Sequence, residues 1–170
     1  MNLHEFAIPQ MARTVGQVRV WLDKAEAYAA AKKFDPQVLM TARLAPDQWH
    51  FTRQVQALTL TPLRLSAVLR GAQPPVLADL EPTVAAVRVR VDETLAQLSA
   101  LRAEEFEGAE RRVIPLPFMP GKGMNAPAFV VQFSLPNFYF HAATAYAILR
   151  HNGVEVGKID FLGQLEIRDL

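Results

Sequence analysis

Four stretches of this chain repeat apolar residues in steps of three and four, and that spacing admits few folds. The cleanest runs Ile8, Met11, Val15, Val18, Leu22, Ala25 and Ala29. Residues three and four apart lie on one helix face, so this is a long amphipathic helix with a bundle-type seam. Lys32 and Lys33 suit its negative C-terminal end. A second helix restarts at Pro46-Asp47 with Phe51, Val55, Leu58, Leu65 and Leu69 as its seam, and Gly71 ends it. Pro62 removes one backbone hydrogen bond from it, which predicts a kink. A third helix begins near Pro82 and repeats Val84, Val87, Val91, Leu95, Leu98 and Leu101. The fourth spans about 126–151, with Phe129, Phe133, Phe140 and Ile148 expected to point inward, and stops at Asn152-Gly153. Helices with one apolar stripe each must bury those stripes on one another. The fold class is therefore all-α, an antiparallel four-helix bundle.

The segments between the seams add detail. Asp35-Pro36 reads as a cap and first turn of a short helix over 36–41. Gln73-Pro74-Pro75 is a linker. Residues 104–110 are turn-rich. The proline-bearing alternation over 112–118, followed by Gly121-Lys122-Gly123, predicts a small β-hairpin or extended insertion between the third and fourth helices. The tail, 154–170, lacks a helical period and is expected to lie extended.

At 170 residues, one domain covering 1–170 is expected. With 51% hydrophobic and 21% charged residues the chain falls among globular rather than disordered sequences. There is no cysteine, which excludes disulfides, thiolate zinc sites and cysteine nucleophiles. No basic region followed by an apolar core marks the start, and no apolar run reaches membrane length, so a cytoplasmic protein without a membrane partner is expected. The net charge is +1, and Arg88, Arg90, Arg102, Arg111 and Arg112 are scattered among Glu104, Glu105, Glu107 and Glu110. That is a solvated mixed-charge surface and no nucleic-acid footprint.

The polar residues of the fourth helix are the informative ones. Ser134, Asn137, His141 and Thr144 are spaced three, four and three, which places them in one line on an otherwise apolar helix. Such a line is a solvent-facing stripe or the wall of a pocket. His141 can serve as acid or base near neutral pH; it can equally be a buried histidine satisfied by a neighbour. On the second helix Arg53, Gln54 and Gln56 supply donors, and Gln56 shares a face with Thr52 and Thr59. If that face meets the polar line, a cleft fit for a small ligand results. His50 beside Trp49 stands at the mouth of such a pocket or at a partly exposed helix end. The candidate ligand-binding residues are His141, Asn137, Ser134, Thr144, Gln56, Arg53 and His50.

Residues 135–141 (LPNFYFH), 145–154 (AYAILRHNGV), Gly157-Lys158 and 160–163 (DFLG) resemble the C-terminal signature of an uncharacterised bacterial family in the DinB/YfiT-like superfamily of four-helix bundles. Residues 43–47, 53–56 and 106–110 resemble other segments of it. The resemblance implies a bundle whose second and fourth helices face each other around a site. In many members a histidine of the second helix and a His-x-x-x-His pair of the fourth bind a divalent metal there, and some members are thiol-dependent transferases or isomerases. In this chain His141 stands for the first histidine of the pair, but its partner position is Ala145, which has no ligating atom. His151 lies about 80° around the helix and about 15 Å along it from His141. With the triad broken, no metal and no cofactor are expected.

Three functions compete. The first is a small-molecule-binding bundle with a polar cleft between the second and fourth helices. The second is a non-catalytic homodimer that pairs through the aromatic face of the fourth helix; a homodimer is expected in either case. The third is a metal-dependent, thiol-transferase-like enzyme using His50, His141 and a further carboxylate or water.

Overall fold

The computed structural model describes residues 2–169, so Met1 and Leu170, the ends of the expected domain, lie outside it. Among the described residues seven α-helices follow in chain order: α1 (Leu3–Lys32), α2 (Gln37–Met40), α3 (Phe51–Arg70), α4 (Val84–Ser99), α5 (Ala126–Ala128), α6 (Leu135–His151) and α7 (Lys158–Leu162). A two-stranded antiparallel hairpin, β1 (Val113–Pro115) and β2 (Gly123–Asn125), sits between α4 and α5 and pairs Ile114 with Met124. The fold is all-α with a small hairpin insertion, as the spacing of the seams predicts.

Local chemistry sets the helix limits. The Asn2 side chain accepts from the Glu5 N–H at 2.9 Å, and Glu5 returns the bond to the Asn2 N–H at 3.0 Å. This reciprocal cap starts α1. Lys33 ends it in the left-handed conformation, at φ 62°. Gly71 ends α3 in the same way, at φ 74°, where a side chain would be strained. The second helix starts later than the sequence suggests. Residues 44–48 form bends and a turn, and α3 begins after His50, whose Nδ1 accepts from the Arg53 N–H. Pro62 does not interrupt α3, which continues on both sides of it.

Helix directions follow from the contacts between elements. Arg19 meets Asp92, and Arg88 meets Asp23 and Glu26, so α1 and α4 run antiparallel. Gln54 meets His141 and Thr61 meets Asn137, so α3 and α6 are antiparallel too. Near the C-terminal end of α1, Gln37 of α2 receives the Val84 N–H at the start of α4, and the Met40 carbonyl receives the Thr52 hydroxyl at the start of α3. Thus α3 and α4 begin at the same end, and the linker between them must travel back along α3. It does so as an extended strap: Asp79 reaches Arg53 and Gln56, close to where α3 began. This return path shapes the site described below.

The fourth helical stretch is continuous from 126 to 151, but its middle, Phe129–Ser134, is π-helical. A π turn holds more residues than an α turn and shifts the faces that follow. The inward line is consequently Val130, Ser134, Phe138, Ala142, Ala145 and Ile148. Of the four residues expected inside, Ile148 is buried and Phe129 partly so, while Phe133 and Phe140 are 37% and 55% exposed. The tail also departs from expectation. It folds a short helix, α7, onto α1 and α6: Phe161 stacks on the buried Trp21, and Trp21 Nε1 donates to the Asp160 carbonyl at 2.9 Å. One continuous hydrophobic core joins α1, α3, α4 and α6, with Phe106 and Ile114 of the insertion sealing one end.

Candidate functional site

Where α3 faces the first half of the fourth helical stretch, the bundle opens into a cleft of about 1250 Å³. Its floor is α3 and α6; its rims are the strap after Gly71 and the β-hairpin. The walls are largely apolar, with Leu60, Val68, Leu77, Phe129 and Phe133 among them. Phe118 of the hairpin loop stacks on Phe133 at 5.5 Å and so ties that rim to the helix.

His141 closes one end. Its Nδ1 lies 2.7 Å from Gln54 Oε1, and both side chains are buried. The Gln54 amide nitrogen donates to the Trp49 carbonyl at 3.2 Å. A carbonyl only accepts, so the amide nitrogen must face Trp49 and the amide oxygen must face His141. The His141 Nδ1 therefore carries the proton, and Nε2 keeps its lone pair. Nε2 has no hydrogen-bond partner among the described residues. Burial pushes the His141 pKa below the ordinary 6.5, so the ring is neutral at pH 7 and Nε2 is an acceptor. Trp49 stacks on the imidazole at 5.6 Å with the planes 8° apart, and the Arg53 guanidinium lies 4.9 Å from the indole centre. The ring cannot easily turn between these neighbours.

Five of the seven residues singled out from sequence line this cleft: Arg53, Gln56, Ser134, Asn137 and His141. Asn137 does not pair with His141 one turn away; its Nδ2 reaches Thr61 Oγ1 at 3.4 Å. Gln56 binds Asp79 of the strap at 3.1 Å and so holds the rim. Thr144 and His50 stand apart from the cleft. Thr144 is turned back onto its own helix, donating to the Phe140 carbonyl at 2.7 Å, and His50 is spent on capping α3. Burial, followed by Arg43 and Arg53, lowers the His50 pKa. The face shared by Thr52, Gln56 and Thr59 divides, because both threonines are buried and bonded to backbone carbonyls.

Gln54 as the partner of His141, Trp49 as its stacking neighbour, and Arg64 and Arg112 as cleft residues emerge from the fold. A signal existed for the helical ones. Arg53, Ala57, Leu60, Arg64 and Val68 form a second stripe on α3, at steps of three and four, beside the core seam. Arg112 carried none, because its place depends on how the insertion folds.

The donor set does not suit a metal. One turn after His141 stands Ala145, which is fully buried, and among the described residues no three histidine, cysteine or acidic side chains gather at one point. No helix is long and apolar enough to cross a membrane.

An all-α bundle with a cleft between its second and fourth long helices is thus the class that fold and site define. The chain belongs to the family described as a domain of unknown function (DUF1993), whose model matches residues 3–162. It is similar to a solved structure of a DinB family member from Shewanella denitrificans: 38% identity, 99% of this chain and 96% of that one covered, and a TM-score of 0.93. No curated protein matches it.

Proposed function

We propose that this protein binds a small organic molecule in the cleft between α3 and α6. The observation that carries the reading is the pairing of a roomy, mostly apolar cavity with a few fixed polar groups, chiefly His141 held in one tautomer by Gln54 and Trp49. Ligand sites have that make-up: apolar walls give affinity, and a small number of oriented polar atoms give specificity. A histidine serving the core alone would need one partner and no open side.

A neutral apolar dye, Nile red, tests the reading without regard to charge. Leu60→Trp places an indole in the floor and should fill part of the cavity. The expected result is saturable binding of one dye per chain to the parent and at least tenfold weaker binding to Leu60→Trp, with circular dichroism unchanged. Binding that ignores the substitution, or no binding by the parent, sinks the proposal.

A further inference from the structure

The charges of the cleft name the class of its ligand. Three arginines line it, Arg53, Arg64 and Arg112, and among the described residues that line it none is acidic. The whole chain has a net charge of only +1, so this is a local concentration of one sign. Arg53 is engaged at the strap end by Asp79, at 3.5 Å, and by Trp49. The neighbouring Arg70 is neutralised by Glu105 at 2.7 Å. Arg64 and Arg112 have no carboxylate partner among the described residues. Arg112 belongs to the insertion, yet its guanidinium lies over Gly71: a Cβ there would stand 2.6 Å from Nη1. The glycine that caps α3 thus also makes room for the cation. On α3, Arg64 precedes Gly71 by two turns, about 10 Å, so the two free guanidiniums flank one half of the groove. Between Arg64 and the level of Gln54 and His141 lie ten residues of helix, about 15 Å, faced mainly by apolar side chains.

We infer that the ligand is an elongated apolar carboxylate, its acid group in the half of the groove that Arg64 and Arg112 flank and its hydrocarbon body along the groove toward His141. This inference rests on the cleft being a binding site. Guanidinium presents paired N–H donors that fit a carboxylate, and both arginines are exposed at the groove edge, where a carboxylate can reach them while its chain lies on the apolar wall. An aliphatic alcohol would gain the wall alone, and an amine would be repelled.

Calorimetric titration of the full chain with decanoate, 1-decanol, decylamine and decyl phosphate tests it. Decanoate should bind at least tenfold more tightly than decanol. That advantage should shrink as salt is raised and vanish in Arg64→Gln/Arg112→Gln, in which decanol affinity stays the same. Equal binding of acid and alcohol, stronger binding of the amine or of the phosphate, or a preference that survives the double substitution overturns the carboxylate assignment. In those cases binding that remains sensitive to Leu60→Trp leaves the cleft itself standing. If none of the four binds and Nile red does not bind either, both readings fall.

Discussion

At the scale of single residues, the relay from Trp49 through Gln54 to His141 is the most constrained feature of the site. Each member decides the state of the next: a backbone carbonyl orients an amide, and the amide sets the tautomer of an imidazole. Gln54→Leu removes both bonds and leaves the His141 N–H buried and unpaired. An unmet buried donor costs about 1–3 kcal/mol, so the variant should be about 2 kcal/mol less stable in urea unfolding. Gln54→Glu makes the opposite change. A carboxylate facing Nδ1–H stabilises the imidazolium and should raise the His141 pKa relative to the parent. Nitrogen-15 shifts of the imidazole read both effects: the parent should show a protonated Nδ1 and a bare Nε2 at pH 7.5. An Nε2–H tautomer in the parent would break the argument that a lone pair is offered to the cleft.

At the scale of elements, the short helix α7 shows how tertiary contacts make structure where periodicity is silent. Five residues cannot hold a helix in water. What holds α7 is Trp21 against Phe161, the Tyr146 hydroxyl on the Val156 carbonyl, and the Asp160 carboxylate, which accepts from Lys24 at 2.6 Å and from the Gly157 N–H at 2.7 Å. The Lys24 hydrogen bond, with the Gly157 bond, lowers the Asp160 pKa below its ordinary value. Lys24 is 40% exposed, so its ion pair contributes within about 1 kcal/mol, and the cap adds about as much. Asp160→Ala should therefore loosen α7 before the bundle melts. Trp21 emission, read in a Trp49→Phe background, should shift to the red while helicity is kept; an unshifted Trp21 would mean that the aromatic stack alone suffices. The seams of α1, α3 and α4 recur because an α-helix has one period, and of the polar line Ser134, Asn137, His141 and Thr144 the first three border the cleft while Thr144 does not. Phe133 and Phe140 turned outward because a π turn altered the period between Phe129 and Ser134, and no residue there announces such a turn. The strap and Arg112 depend on distant chain segments meeting, which local pattern does not encode.

At the scale of the whole molecule, three histidines from different regions share one electrostatic condition. His4 packs against Phe106 with the rings tilted, His50 caps α3 and His141 faces the cleft, and each pKa is held below 6.5 with burial as the first cause. At His4, Glu5 and Glu105 oppose that shift; at His50, Arg43 and Arg53 reinforce it. Unfolded, each imidazole takes up a proton near pH 6.5, while folded it does so only at lower pH. Between those values the unfolded chain binds more protons, so stability rises with pH across that window. The contribution is complete above about pH 6.5 and is lost as pH falls through the folded values. Asp160 and Glu105, whose pKa values are also lowered, act mainly below about pH 5, so the interval from pH 5 to 7.5 reports chiefly on the histidines. Urea midpoints measured across that interval should fall on acidification, and His141→Gln should flatten part of the slope. A midpoint that is flat or rises toward pH 5 would contradict the burial of these rings in their neutral form. The proposed binding role carries the same pH dependence: the pH that weakens the fold also protonates Nε2, so a ligand accepted by that lone pair should release over the same range.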